Sequence, residues 1–432
     1  MIHLGNMKLT AEEQDILAGK QGETLAKVMK TLLLYGEAFG ATEFVPVRSQ
    51  GHLVTSFGLS VIKPVFSIMD ELIAAGLKAE DAFTLDPRPV DFENVPCSLP
   101  EKLIFSRMMY GKQKQYEEQL KKLGLKSAKS FTCACYLDEV GNKPNYGDVL
   151  SWAESSAVVY ANSVLGARSN RNSGIIELFG SILGRVPKFD LLTDEGRRAN
   201  WVVEVKTEKK PEAQVLGSAI GMKVMEAVPY IKGLDKWLGT ELDDAAIAYL
   251  KDFGAATASN GAVGLYHIAG LTPEAKELGE ALIKEGAQTY VIDDAELERV
   301  KAGYPNIWKN PGAKPDRCFI GCPHLTVSQL VAWEERFSAA LQAAGKTKLG
   351  LLTILSAAPE VLERYGAEHA DSQARLEGMG ARLTYICPLM YMNNPLCAKK
   401  PVVTNSNKLR TYTSARYFTD EEILAICVKG GF

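Results

Sequence analysis

The chain has 432 residues, of which 46% are apolar and 23% charged, a composition typical of an ordinary globular protein. A formal net charge of −3 offers no electrostatic basis for binding nucleic acid or an anionic membrane. No apolar run approaches the roughly 20 residues needed to span a bilayer. Met1 to Met7 lacks the basic and apolar segments of a signal peptide, and the native start is open between these two methionines. With only eight cysteines and no export signal, we expect reduced thiols and a cytoplasmic location.

Helical signals dominate the amino-terminal region. Thr10-Ala11-Glu12-Glu13 is a capping box, which predicts a helix start. Apolar residues from Leu25 to Leu33 recur at helical spacing, so a second helix follows and ends near Gly36 or Gly40. Phe44-Val45-Pro46-Val47 predicts a short strand, and the stretch from Lys112 to Leu123 predicts a partly solvated helix.

Strands and helices alternate in the second half of the chain. Helix starts are predicted at Thr272-Pro273 and at Asp293 or Asp294, and helices are expected at 327–343 and 359–365. Predicted strands lie at 262–268, 289–292, 318–320, 349–355, 383–386 and 401–404. This alternation predicts an α/β fold with several doubly wound parallel sheets and helices on both faces. The length predicts two or three closely packed lobes.

Three cysteines follow probable strands or lie in loops marked by glycine and proline: Cys133, Cys322 and Cys387. Ligands of doubly wound sheets bind outside the carboxyl ends of the strands. Three separated thiols at such positions can hold an iron–sulfur cluster with one iron open to substrate. The alternatives are three buried hydrophobic cysteines, or a zinc site completed by His324.

Polar clusters supply further candidates. The stretch that holds Arg168, Arg171 and Asn172 is either an anion site or a solvated helix end. The run from Asn405 to Lys408 is a second candidate at a strand end, or an ordinary turn. His52 follows the first short strand and is either an acid–base group or a surface histidine.

Several segments together resemble the large, cluster-bearing subunit of the aconitase X family, over essentially the whole chain. The most specific is the block from Ala153 to Arg171. Shorter matching segments are Met7-Lys8-Leu9-Thr10, Tyr136, Gly141-Asn142-Lys143-Pro144, Tyr146-Gly147, Gly321-Cys322-Pro323-His324, Cys387-Pro388 and Thr404-Asn405-Ser406-Asn407-Lys408.

The resemblance implies an aconitase-like fold and a hydro-lyase with a cluster held by Cys133, Cys322 and Cys387. A [4Fe–4S] cluster is favoured over [3Fe–4S] or [2Fe–2S]. Family members also use a small swivelling domain that supplies a serine base. We expect it here as a separate partner subunit, because the chain ends at Phe432 without room for it.

This interpretation assigns catalytic roles to His52 and Lys408. The expected substrate-binding residues are Arg168, Arg171, Asn172, Asn405 and Ser406. The favoured reaction is dehydration of a β-hydroxy acid, with cis-3-hydroxy-L-proline as favoured substrate and mevalonate 5-phosphate as the alternative. Two rivals of another class are a noncatalytic zinc protein and a scaffold subunit that has lost its chemistry.

The chain departs from the family at three places. The early loop reads Gly51-His52-Leu53-Val54-Thr55-Ser56-Phe57, where the family usually has an alanine-histidine pair and then a serine-tyrosine pair. Cys135 stands where a proline is common, and Arg410-Thr411-Tyr412-Thr413 replaces a segment that usually carries a histidine. The cluster ligands therefore match the family better than the substrate contacts do.

Overall fold

The computed structural model describes residues 7–54, 60 and 62–432. The first six residues and the Thr55–Phe57 part of the early loop, both considered in the sequence analysis, lie outside these ranges. Within them, no helix is both long and apolar enough to cross a membrane.

The amino-terminal part of the chain is mainly helical with short strands. Its helices are α1 (Ala11–Leu17), α2 (Glu23–Ala38), α3 (Lys63–Ala74), α4 (Leu99–Leu103), α5 (Gln113–Leu123), α6 (Ser155–Tyr160) and α7 (Gly174–Leu183). Its strands are β1 (Phe44–Pro46), β2 (Gly51–Leu53), β3 (Phe83–Leu85) and β4 (Arg185–Pro187). Turns of π-helix extend α4 over Ile104–Met109 and α6 over Ala161–Leu165.

The middle and carboxy-terminal parts alternate strand and helix. The middle part contains β5 (Ala199–Val205), α8 (Ala213–Val224), β6 (Pro229–Lys232), α9 (Asp235–Leu238), α10 (Asp244–Gly261), β7 (His267–Ile268), α11 (Pro273–Leu278), β8 (Ile283–Ile292) and α12 (Asp294–Ala302). The carboxy-terminal part contains β9 (Arg317–Leu325), α13 (Val327–Ala343), β10 (Leu352–Ala357), α14 (Pro359–Glu368), α15 (Ala370–Gly378), β11 (Arg382–Thr384), α16 (Pro388–Met392), β12 (Val402–Thr404), α17 (Asn407–Tyr412), β13 (Arg416–Tyr417) and α18 (Asp420–Lys429).

Two parallel sheets confirm the predicted α/β class. One has the order β7-β6-β5-β8 and the other the order β11-β10-β9-β12-β13. In the second sheet the chain moves outward in both directions from β9, so the boundary between β9 and β12 is a topological switch point. Strands β2 and β3 also pair in parallel, and β1 pairs with β4 in antiparallel fashion.

Most predicted elements are present. The Thr10–Glu13 capping box starts α1, Asp293 caps α12, and the helix predicted over 327–343 is α13. The strand predicted over 262–268 is wrong except for its last two residues. The buried stretch before them instead satisfies its backbone through side chains: Ser163 Oγ accepts from the Tyr266 amide, and Asn162 donates to the Gly264 carbonyl.

The prediction that Cys322 lies in a loop is also wrong, because β9 continues through it to Leu325. Gly321 makes this continuation possible. It has φ +99°, and a Cβ there would lie 2.3 Å from the Ser356 carbonyl oxygen of the neighbouring strand. The pairing of β9 and β10 shifts register between Leu355 and Ala357, next to this close approach.

The backbones of helices α8 and α10 approach each other closely where the two helices cross. A Cβ on Gly217 would lie 2.4 Å from the Phe253 carbonyl oxygen and 2.8 Å from Ala256 Cβ. Helix α10 also contacts α6, α17 and β9. The crossing therefore holds the middle of the chain against three elements of the other two parts.

We expect Gly217→Ala to lower the free energy of unfolding by about 1–3 kcal/mol, because the added methyl overpacks the crossing. This loss should outweigh the gain in helix propensity of roughly 1 kcal/mol. The control is Gly378→Ala at the end of α15, where nothing lies within 4 Å of the added methyl. Urea unfolding of both variants measures the difference, and equal stabilities would contradict the predicted clash.

Candidate active site

The carboxyl ends of the short amino-terminal strands meet at one cavity. Val54 follows β2 and Asp86 follows β3. Two isolated parallel bridges bring further residues to the same edge. Leu85 pairs with Phe131, two residues before Cys133, and His52 pairs with Trp152, two residues before Glu154. The cavity is about 340 Å³ in volume and is lined by Val54, Asp86, Pro87, Cys133, Ala153, Glu154, Ser155, Gly321, Cys322, His324, Cys387, Pro388, Leu389, Met390, Lys408 and Tyr412.

The five-stranded sheet supplies the opposite wall. Cys322 lies on β9, Cys387 follows β11, and Lys408 follows β12. Since β9 and β12 flank the topological switch point, the cavity occupies the position where doubly wound sheets bind ligands. Residues from three distant parts of the sequence are thereby brought together.

The three candidate cysteine ligands line this one cavity. The His324 amide donates to Cys133 Sγ at 3.3 Å, and burial raises the pKa of the Cys133 thiol to about 12. Burial also raises the pKa of the Cys322 and Cys387 thiols. Such thiols become thiolates when a bound metal centre displaces their protons.

The donor geometry does not suit a single metal ion. Across the described residues, no three histidine, cysteine, aspartate or glutamate side chains converge closely enough to hold one. Both ring nitrogens of His324 are also engaged, Nδ1 with Thr132 Oγ1 at 3.0 Å and Nε2 with the Ile386 carbonyl at 3.1 Å. The geometry therefore speaks against the zinc alternative, whereas three separated thiols around a cavity suit a larger, multinuclear centre.

A buried ion pair joins the two walls. Glu154 caps α6 by accepting from the Ala157 amide at 2.7 Å, and its Oε1 accepts from Lys408 Nζ. Lys408 also donates to Ser156 Oγ at 2.8 Å. Burial opposes the charge on Lys408, but Glu154 and the nearby Cys322 and Cys133 outweigh it and raise its pKa.

His52 lies beneath the cavity and is not part of its lining. It is fully buried, its Nδ1 contacts Thr84 Oγ1 at 2.8 Å, and its Nε2 has no hydrogen-bond partner. Asn142 also donates to Thr84 Oγ1, at 2.8 Å. Burial lowers the pKa of His52 to about 4, so the ring is neutral near pH 7.

The predicted anion site separates into different environments. Arg168 does not line the cavity and pairs with Asp194 at 2.6 Å, and Asn172 accepts from the Tyr35 hydroxyl. Arg171 makes no hydrogen bond or ion pair with the described residues. Arg171 does not line the cavity, but its guanidinium interacts electrostatically with Tyr412 and Glu154, which do, and also with Asp190 and Glu226.

The residues of the second predicted polar cluster, Asn405 to Lys408, also lie in different environments. Asn405 donates to Asp420 at 2.8 Å and does not line the cavity. Ser406 caps α17, accepts from the Leu409 amide at 3.1 Å, and lies next to the Cys322 thiol. Only Lys408 of this cluster lines the cavity.

Sequence reasoning did not single out Asp86, Glu154 or Tyr412, although all three line the cavity. Glu154 lies inside the block that most resembles the family, and Asp86 follows a strand in the region of least regular pattern. A search for polar residues directly after every short apolar run would have found the first two.

Comparisons with known proteins agree with this geometry. Residues 6–195 match the first domain of aconitase X and residues 199–302 match its second domain. A Methanosarcina mazei protein named phosphomevalonate dehydratase large subunit is 30% identical over 94% of this chain and 92% of its own length. A cis-3-hydroxy-L-proline dehydratase from Pseudomonas aeruginosa is 26% identical over 94% of this chain and 66% of its own length.

The crystal structure of the holo form of Thermococcus kodakaraensis aconitase X superimposes with a TM-score of 0.79 at 27% identity, covering 97% of this chain and 99% of that one. The chain belongs to the aconitase X family. It is a hydro-lyase of the aconitase X type, similar to relatives named as large subunits. Aconitase-like dehydratases generally carry an iron–sulfur cluster.

We expect Lys408→Met to lower the free energy of unfolding by about 3–5 kcal/mol, because it leaves the Glu154 carboxylate buried without its cation. The double variant Glu154→Gln/Lys408→Met should lose much less. Lys20→Met, which breaks an exposed pair with Asp15, should cost less than about 1 kcal/mol. Urea unfolding of the cluster-free proteins measures all three, and a double variant that loses as much as Lys408→Met would contradict the coupling.

The buried, neutral His52 should make the protein sensitive to acid. Because its pKa is about 4 in the folded state and about 6.5 when unfolded, the unfolded chain binds the proton first as pH falls. Stability is therefore full above pH 6.5 and falls by up to about 3 kcal/mol between pH 6.5 and 4. His52→Gln should show a flatter curve over this range in urea unfolding, and parallel curves would contradict the assignment.

Proposed function

We propose that the chain is the large subunit of a dehydratase that removes water from a small 3-hydroxy acid, with an iron–sulfur cluster held by Cys133, Cys322 and Cys387. The observation that carries the proposal is that the three thiols line one cavity together with Lys408 and Glu154, at the meeting point of two sets of parallel strands. When bound, the cluster supplies a Lewis acid for the leaving hydroxyl.

Lys408 is the cation best placed to orient the substrate carboxylate. It is buried, charged, and close enough to Cys322 and Cys133 for their mutual attraction to raise its pKa. An ammonium in this low-dielectric site lowers the energy of negative charge that develops on the carboxylate as the α-proton leaves. Glu154 neutralises Lys408 between turnovers and fixes the position of its Nζ.

Arg171 is the candidate for a second anionic group. Its guanidinium is partly buried, has no ion-pair partner among the described residues, and lies near Tyr412 at the cavity. Burial lowers its pKa, but arginine remains charged at any physiological pH. We assign positioning roles beneath or beside the cavity to His52 and Ser406, and none in substrate contact to Arg168, Asn172 or Asn405.

The base that removes the α-proton is expected from a partner subunit. Of the residues that line the cavity, Glu154 is held by Lys408 and His324 is engaged at both nitrogens, so neither of these two is free to act as the base. A hydroxyl base supplied by a small swivelling subunit, as the family resemblance implies, fits this arrangement. The partner would then close the open side of the cavity.

Mevalonate 5-phosphate is our first candidate substrate, in place of the hydroxyproline that the sequence favoured. A relative named for phosphomevalonate matches this chain over nearly its whole length, whereas the cis-3-hydroxy-L-proline relative is much longer. Arg171 offers an unpaired cation for the phosphate. The hydroxyproline stays as second candidate, because the Asp86 carboxyl in the cavity lining suits a ring ammonium.

The test is anaerobic co-expression with the small subunit, followed by assay of iron, acid-labile sulfide and water loss from both substrates. We expect wild-type protein to contain iron and sulfide and to dehydrate mevalonate 5-phosphate, and Cys322→Ala to lose all three properties together. Turnover of cis-3-hydroxy-L-proline alone would reverse the substrate assignment. Wild-type protein without sulfide would overturn the cluster.

Arg171→Met should lower kcat/KM for mevalonate 5-phosphate by about tenfold to a hundredfold, because a charge-assisted contact is worth roughly 1.5–3 kcal/mol. The control is Arg168→Met, which removes a guanidinium three residues away that is already paired with Asp194. It should leave kcat/KM within about twofold. Equal losses in the two variants would contradict the role of Arg171.

A further inference from the structure

Tyr412 lines the cavity, and the mechanism above gives it no role. It is the last residue of α17 and is 54% exposed, so it lies where the cavity opens to solvent. No hydrogen bond joins its hydroxyl to any residue of the described ranges. The cavity mouth therefore carries a phenol that the protein itself does not use.

The other polar side chains around Tyr412 are bonded to the protein. Arg410 Nη2 and Thr411 Oγ1 both donate to Asn260 Oδ1 on α10, the second at 3.2 Å. Thr413 Oγ1 donates at 2.6 Å to the carbonyl oxygen of the residue four positions before it. These bonds fix the end of α17 against α10, and they leave the phenol as the polar group of this turn that is open to a ligand.

Tyr412 and Lys408 lie on the same face of α17. They are four residues apart within the helix, a spacing that makes their side chains neighbours, and both line the cavity. The Lys408 side chain is 12% exposed, so it marks the inner end of the face and Tyr412 the outer end. A ligand whose carboxylate binds Lys408 therefore passes Tyr412 wherever it extends toward solvent.

We propose that Tyr412 is a specificity-determining residue whose phenol donates a hydrogen bond to the phosphate of mevalonate 5-phosphate. The inference rests on the proposed function and on the first candidate substrate given there. The carboxylate and the phosphate of that substrate lie at opposite ends of its carbon chain, so a carboxylate at Lys408 places the phosphate toward the mouth. A phenol O–H is a donor, and phosphate oxygens are strong acceptors. In cis-3-hydroxy-L-proline one small ring carries every polar group, so no second anion reaches Tyr412.

The test is steady-state kinetics of the assembled, anaerobically purified enzyme with mevalonate 5-phosphate, and with mevalonate as a competing ligand that lacks the phosphate. We expect Tyr412→Phe to lower kcat/KM for mevalonate 5-phosphate by about tenfold through a higher KM, because the lost hydrogen bond has a charged acceptor. The inhibition constant of mevalonate should not change. The control is Tyr146→Phe, because Tyr146 is 53% exposed and does not line the cavity. It should leave both constants unchanged.

An unchanged KM for mevalonate 5-phosphate in Tyr412→Phe would overturn this inference and leave the proposed function intact. An equal loss of affinity for mevalonate would also overturn it, since the phenol would then not contact the phosphate. A loss that disappears at saturating small subunit would do the same, because it would place the phenol in the subunit interface. Wild-type enzyme that dehydrates cis-3-hydroxy-L-proline alone would overturn both the substrate assignment and this inference.

Discussion

The Glu154–Lys408 ion pair is the interaction on which the shape of the cavity depends. It joins the end of the short amino-terminal strands to the end of β12, and both side chains are buried. Two charges leave water only when each is satisfied, and here the Ala157 amide and the Ser156 hydroxyl complete the bonding of Glu154. The walls that carry Cys133 and Cys322 are therefore held at a fixed separation by a contact that neither wall makes alone.

The middle of the chain supports this cavity without contributing to it. No residue between 199 and 302 lines the cavity, yet α10 contacts α6, α17 and β9, which carry or adjoin the ion pair and Cys322. The close α8–α10 crossing at Gly217 leaves these contacts little freedom. The middle part therefore supplies rigidity to a site formed by the others.

Local signals in the sequence predicted much of the fold. Capping residues marked the starts of α1, α11 and α12 because a cap acts within three residues of itself. Apolar runs were less reliable as evidence for strands. The run at 262–266 is buried, but its backbone bonds to Asn162 and Ser163 rather than to a strand, and an apolar pattern reports burial without naming the partner.

The sequence by itself determined the α/β class, the family and several helix starts, and it named the three cysteines and Lys408 as candidate site residues. Only the tertiary structure decided which polar side chains are free of ion pairs and which line the cavity. It pairs Arg168 and leaves Arg171 unpaired, buries His52 beneath the cavity, and brings Glu154 to a lysine 254 residues away. The physical reason is that charge pairing and burial depend on neighbours in space, and these come from strands that are distant in sequence.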